Sequence, residues 1–355
     1  MTVLSVGFAL LPVSADSPGG SEQILWHVER GLVMAGHRSL VVAANGSRIS
    51  GTLIPAPAAN GDIINEDAKR TAHRAHRKAI QSVLDSSSVD LIHFHGLDFA
   101  EYMPSSGPDL LATLHLPVEW YPKHIFRTPG LTLNFVSQTQ ANSSPLGVKW
   151  PIVQNGVDLK RYSNESRKQD FVLVLSRICP EKGIDVALRI AHRLGLDLVI
   201  AGPVQPFATH QAYFKEEVQP LLDARRRYIG SVGMAEKAGL LARARCLLVP
   251  SSVAETSSLV AMEAIASGTP VVAFRAGALP EVVDDGTTGY IVDSEDSMGE
   301  AVKRVDAISP ARCREVALSR FDAQRMVREY LSLYNEILCS TNRQRRRTSA
   351  PQSVL

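Results

Sequence analysis

The sequence predicts an α/β protein made of two parallel-sheet domains facing across a cleft. Two observations carry this: apolar runs of strand length alternate with helical patterns through both halves, and 355 residues at 45% hydrophobic content can fill two ordinary cores. The first half opens with an apolar strand from Val3 to Phe8, a loop to Gly20, a helix from Ser21 to Ala35 closed by Gly36-His37, and a strand from Ser39 to Ala44. A basic helix follows from Glu66 to Leu84, then strands Leu91 to His95, Leu110 to Leu114 and Leu131 to Val136, a helix of small residues, and the run Ile152 to Gly156. Asp158 to Asp170 is polar with little apolar periodicity, and the domain boundary is expected there. The second half repeats the pattern: strand Phe171 to Leu175, helix Gly183 to Leu194, strand Leu198 to Ala201, helix Phe214 to Leu222, strand Tyr228 to Ile229, helix Glu236 to Ala242 and strand Ala244 to Pro250. A helix capped by Ser257 or Ser258 runs through Ile265, stopped by Gly268 and Pro270, and strand Val271 to Phe274 follows. The final helix is expected over Asp322 to Leu338. Two such halves imply two Rossmann-like domains, residues 1–160 and 161–318, with helix 319–339 and a basic, disordered tail 340–355 after them.

Composition removes several function classes. A net charge of +2 offers no global attraction to nucleic acid, and neither the helix at Lys69 to Lys78 nor the tail Arg343 to Arg347 has interleaved aromatics, so no nucleic-acid partner is expected. Contact of either basic stretch with anionic lipid stays open. Cys179, Cys246, Cys313 and Cys339 are scattered without CxxC spacing, which fits a reducing cytoplasm. The apolar start lacks the positive region of a secretion signal and reads as a first strand, and no run approaches the roughly 20 apolar residues of a membrane span. A dinucleotide oxidoreductase would need a G-x-G-x-x-G loop, which neither half has.

The chemistry concentrates around two acids, Glu255 and Glu263, in Glu255-Thr-Ser-Ser-Leu-Val-Ala-Met-Glu263. They stand where a buried strand gives way to a helix whose N-terminus, at Ser258 and Leu259, suits a phosphate. Arg177 ends a strand and Lys182 lies five positions on, at the rim of the crevice where open α/β sheets bind ligands. Gly19 and Gly20 allow close backbone approach beside the first helix. Taken singly, each feature has a bland counterpart: surface acids, a solvated cation pair, a tight turn. His93 and His95 alternate along one strand and share a face, compatible with a metal pair, a site pair or a polar strand end, and His115 ends the next strand.

In order along the chain, Gly19-Gly20-Ser-Glu22, Asn155-Gly-Val-Asp158, Arg177 with Glu181-Lys182-Gly183, the acid pair, Gly277-Ala-Leu-Pro-Glu281 and Asp285-Gly-Thr-Thr-Gly289 closely resemble the retaining glycosyltransferases of family 4 (glycosyl transferases group 1), which have the GT-B fold. The resemblance implies a hexosyltransferase that takes a nucleoside-diphosphate sugar on the C-terminal domain and an acceptor hydroxyl, on a glycan, lipid-linked or small molecule, on the N-terminal domain, in polysaccharide biosynthesis. It implies that the last helix crosses back to the first domain, that Glu255 binds sugar hydroxyls and Glu263 ribose hydroxyls, and that His115 faces the transferred sugar, with His95 a weaker and His93 the weakest site candidate. Ser176 replaces a common Gly, and Thr256-Ser257-Ser258 stands where Gly-Phe-Gly is frequent, which leaves the identity of the sugar open. Glu281 belongs to the donor-side loop or caps the next helix. With no Asp-x-Asp motif, Arg177, Lys182 and the helix N-terminus are expected to neutralise the diphosphate, so no metal and no cofactor are expected. Trp120 and Tyr121, in the loop expected to meet the acceptor, either stack on a sugar or simply pack. A non-catalytic sugar-nucleotide binding subunit and a sugar-nucleotide epimerase share these features and remain alternatives. The site is expected in the cytoplasm or at the inner membrane surface; the donor base, the acceptor and the oligomeric state stay open.

Overall fold

The computed structural model of the protein describes residues 1–57, 66–145, 149–162 and 166–348, the last seven by their backbone only. Two six-stranded sheets, parallel throughout, divide the chain. The first holds β1 (Thr2–Val6), β2 (Arg38–Ala44), β3 (Thr52–Ala56), β4 (Leu91–Phe94), β5 (Asp109–Thr113) and β6 (Leu131–Asn134), in the order β3-β2-β1-β4-β5-β6. The second holds β7 (Val172–Leu175), β8 (Leu198–Ala201), β9 (Arg226–Tyr228), β10 (Cys246–Val249), β11 (Val271–Phe274) and β12 (Gly289–Val292), in the order β12-β11-β10-β7-β8-β9. Both are the doubly wound arrangement, in which the chain reverses direction across the sheet between β1 and β4 and between β7 and β10. Central strands such as β1, β4, β7 and β10 are buried on both faces, which is why they read as continuous apolar runs rather than alternating ones.

Helices cover both faces. In the first half these are α1 (Gly20–Met34), α2 (Glu66–Ser86) and α3 (Gln138–Asn142). In the second they are α4 (Ile184–Leu194), α5 (Ala208–Tyr213), α6 (Met234–Arg243), α7 (Leu259–Ala266), α8 (Leu279–Val282), α9 (Glu295–Arg304) and α10 (Pro310–Arg320), and α11 (Ala323–Thr348) ends the described chain. α2 buries Ala72, His76, Ile80 and Val83 on one face and leaves its cations outward. α9 is opened by a capping box in which Ser294 and Ser297 satisfy each other's backbone N–H groups.

Several expectations change. β3, β12, α9 and α10 extend the sheets and their cover beyond the predicted set. The helix expected over 214–222 is instead α5, then one wide π turn from Phe214 to Val218 and a 3-10 turn from Gln219 to Leu221. Pro220 has no N–H for the ladder, so the α pattern cannot run through. The disordered tail expected from residue 340 is helical to Thr348; residues 349–355 lie outside the described ones, as do 163–165 of the expected boundary stretch.

The chain crosses between the halves twice, and the crossings are bonded together: Val157 N–H donates to Phe321 O (2.8 Å) and Ala323 N–H to Val157 O (3.0 Å). Val157 and Tyr162 already pack in the core of the second half. After the second crossing α11 lies on the first half, with Met326, Tyr330, Leu333 and Tyr334 buried against Ile24, Val28, Leu91 and Leu111. Each such side chain contributes roughly 1.5–3 kcal/mol of burial. Gly31 lets the two helices touch: a Cβ there would lie 2.3 Å from Val327. Among the described residues no helix is long and apolar enough to cross a membrane.

Candidate active site

The loops that leave the carboxyl ends of the reversing strands converge. Gly19 and Gly20 follow β1, His95 follows β4, Arg177 and Lys182 follow β7, and Glu255 follows β10, so both topological switch points open on one space. That space is a cavity of about 430 Å³ between the halves. It is lined by Gly19, Gly20, His95, His115, Trp120, Tyr121, Arg177, Lys182, Glu255 and Leu259, ten of the residues singled out from the sequence. A second cavity of about 190 Å³ shares Gly20, Arg177 and Leu259 with it and ends at Glu263. Ser258 is the N-cap of α7 and lines a small adjoining space with Lys182 and Glu255; its side chain makes no capping hydrogen bond.

On the C-terminal side, Lys182 Nζ donates to Glu255 Oε1 at 2.5 Å, with both side chains largely buried, and the Ser251 hydroxyl donates to the same oxygen. Lys182 ends a 3-10 turn, Pro180–Lys182, whose last carbonyls turn at Gly183 in the left-handed region (φ 62°). Arg177 Nη2 stands 3.9 Å from Glu181 Oε1 and is therefore available to a second anion. Glu263 is 1% exposed. Its Oε1 accepts from Tyr162 Oη (2.8 Å) and Lys237 Nζ (2.6 Å), while its Oε2 is buried without a partner. An unpartnered carboxylate oxygen at the end of a cavity is an acceptor held ready for a hydroxyl donor.

On the N-terminal side the histidines form a line. His95 Nδ1 and His115 Nε2 are 3.1 Å apart with near-parallel rings, and the His93 ring lies 4.0 Å from that of His95, tilted by 44°. His93 does not reach the cavity: its ring bonds Tyr334 Oη and Thr113 Oγ1, each at 2.7 Å, inside the core under α11. Burial keeps all three rings neutral, lowering His115 to about 3 and His93 and His95 well below the ordinary histidine range. Tyr121 is buried, and its hydroxyl oxygen accepts from His115 N–H (3.0 Å) and Leu116 N–H (3.3 Å), so it braces the His115 loop; Trp120 stays half exposed.

Three residues of the site escaped the sequence reading. Glu22, in the first turn of α1, is buried against the cavity with its carboxyl raised above the usual range, chiefly by burial. Lys237, on α6, neutralises Glu263. Thr256 donates its hydroxyl to His115 O (2.7 Å) across the cleft. The first was visible inside the glycine motif; the other two acquire partners only through the fold. Glu281 lies within α8 and, rather than capping its own helix, accepts from Gln138 N–H (2.9 Å) and Thr139 N–H (2.6 Å) at the start of α3 in the other half.

Residues 158–315 match the family model described as Glycosyl transferases group 1. This stretch is a glycosyl transferases group 1 domain. A D-inositol 3-phosphate glycosyltransferase of Corynebacterium efficiens is 38% identical over 133 residues, 35% of this chain and 31% of its own length. The chain spans only about a third to a half of the curated relatives that it matches. Over nearly the whole chain, the sucrose-phosphate synthase structure of Thermosynechococcus elongatus superposes with a TM-score of 0.79 at 17% identity, covering 96% of this chain and 100% of that one. Anabaena HepE, solved in complex with UDP-glucose, does so with a TM-score of 0.68 at 18% identity, covering 94% and 99%. The fold of the chain is GT-B.

Proposed function

We propose that the chain is a retaining glycosyltransferase that moves a hexose from a nucleoside-diphosphate sugar to a hydroxyl of a glycan, lipid-linked or small-molecule acceptor. The observation that carries this reading is the convergence of Arg177, Lys182, Glu255 and the N-terminus of α7 on one cavity, with the half-satisfied Glu263 at the end of the next. The group 1 domain lies on that side, and HepE, of the same fold, was solved with UDP-glucose.

In this reading the diphosphate lies between Arg177, Lys182 and the α7 N-terminus, which take up the charge that grows on the departing phosphate. No Mg²⁺ bridging the diphosphate is then required. Glu263 Oε2 accepts from ribose hydroxyls and Glu255 from the sugar. The neutral His115, held by His95 and Tyr121, offers the sugar a hydrogen-bonding group without a charge. The acceptor enters from the side of Glu22 and Trp120. Its hydroxyl attacks the anomeric carbon on the face that the diphosphate leaves, and its proton passes to the departing phosphate oxygen, so a separate base is dispensable and the anomeric configuration is kept.

Calorimetry with nucleoside diphosphates and their sugars tests this. One nucleotide should bind, Mg²⁺ should leave its affinity unchanged, and Lys182→Ala should weaken it about 10- to 100-fold, the loss of a charged hydrogen bond. A folded chain that binds none of them refutes the reading. With the matching acceptor, proton NMR of the product should show the donor's anomeric configuration retained.

A further inference from the structure

Next to the cavity, on its C-terminal side, the fold brings a third side chain against two that are near neighbours in the sequence. Cys179 precedes the turn that carries Lys182, Glu181 lies within it, and His210 comes from α5, after the following strand. One ligand atom from each lies within 4.8 Å of the other two. Cys179 is fully buried and His210 is 8% exposed, with its Nδ1 buried and without a hydrogen-bond partner. The thiol makes a long contact, 3.7 Å, to Arg177 O and donates to the Glu181 carboxylate. A buried thiol bonded to a carboxylate and facing an imidazole nitrogen that has no partner is a set of three donors with polar capacity left over at His210.

We propose that Cys179, Glu181 and His210 form a binding site for a divalent cation of the zinc class. Sulfur, nitrogen and oxygen donors together select a borderline-soft ion over Mg²⁺ or Ca²⁺. In a tetrahedral site, bonds of about 2.3 Å to sulfur and about 2.0–2.2 Å to nitrogen and oxygen place the ligand atoms of one ion roughly 3.4–3.6 Å apart, so side-chain adjustments of about an ångström close the site. Thiolate and carboxylate together neutralise the dication. Three protein ligands leave a fourth position for water. Glu181 lines the 430 Å³ cavity, which provides the path of entry. The bound ion ties the Pro180–Lys182 turn to α5 and fixes the base of Lys182. It sits behind Arg177 as a clamp on the loop and not on the diphosphate, so the site stands whether or not the transfer reading does.

The test uses the full chain, stripped of metal with a chelator and titrated with Co²⁺. The expected result is saturation at one equivalent with a tetrahedral visible spectrum and a thiolate-to-cobalt charge-transfer band, both displaced by Zn²⁺. Cys179→Ser should abolish the band, His210→Gln should weaken binding at least about tenfold, and Cys339→Ser, removing the exposed thiol, should change nothing. A folded wild-type chain without the charge-transfer band overturns the proposal, and this arm needs no variant to fold. A band that survives Cys179→Ser and disappears in Cys339→Ser overturns it as well.

Discussion

His93, His95 and His115 are a residue-scale device in which burial, not neighbouring charge, is the largest cause of the shift. Their folded pKa values lie below the unfolded value of about 6.5, so the unfolded chain takes up protons that the folded chain refuses. Above pH 6.5 the three contribute nothing to pH dependence, and stability falls as the pH drops below it, towards about 3 for His115. At pH 5 the His115 ring should cost about 2 kcal/mol relative to pH 7.5, and the other two act in the same direction. Urea unfolding at both pH values should therefore show the difference shrink by about 2 kcal/mol in His115→Gln and shrink as well in His95→Gln; an unchanged difference would mean that the ring is solvated. The alternation His93-Phe94-His95 was legible as a shared face in the sequence. That one ring serves the core and the other the cavity was not, because the partner Tyr334 lies 241 residues away.

At the scale of elements, the turn between β7 and α4 shows how a local rule positions a distant charge. Gly183 closes the 3-10 turn in the left-handed region and is also the N-cap of α4. A Cβ at this position would lie 2.3 Å from Pro250 O, in the strand-to-loop segment that leads to Glu255. Gly183→Ala therefore meets two penalties, about 1–2 kcal/mol for the left-handed conformation and a backbone clash that must be relieved by moving the turn. Chemical denaturation should show a loss of at least about 1 kcal/mol, and the Lys182–Glu255 register should shift enough to weaken nucleotide binding. A loss of stability with unaltered binding would show that the turn does not set Lys182. In the sequence the Glu181-Lys182-Gly183 run stood out as part of a motif placed just before a helix. The carbonyl it packs against did not, since proximity across β7 and β10 follows from strand order.

At the scale of the whole molecule, the two halves are joined by the paired crossings at Val157 and Ala323, by Thr256 on His115 O, and by Glu281 on the first amides of α3. Glu281 satisfies two N–H groups that a five-residue helix would otherwise leave to water. Glu281→Ala should raise the hydrogen-exchange rates of Gln138 and Thr139 on the order of tenfold, the worth of one net hydrogen bond, while amides in the middle of β1 stay protected. Equal acceleration across both halves would instead mean global destabilisation. The acid could be read from the sequence as a helix cap. Its helix turned out to belong to the other half, which no spacing rule encodes.

The sequence by itself determined the alternation of strands and helices, the two sheets, the glycine loop, the cations after β7 and the acids after β10, because each is set by local periodicity or by a motif whose residues are neighbours in the chain. β3 was missed since this edge strand is exposed or half-buried along most of its length and carries a weak pattern, whereas β12 is buried at three of its four residues and was missed because so short a run does not stand out. The tertiary structure alone decided which groups share a partner: His95 with His115, Lys237 with Glu263, Thr256 with the His115 carbonyl, and Cys179 and Glu181 with His210. These pairings depend on strand order and on two switch points meeting across a cleft, and distance in space is not written in distance along the chain.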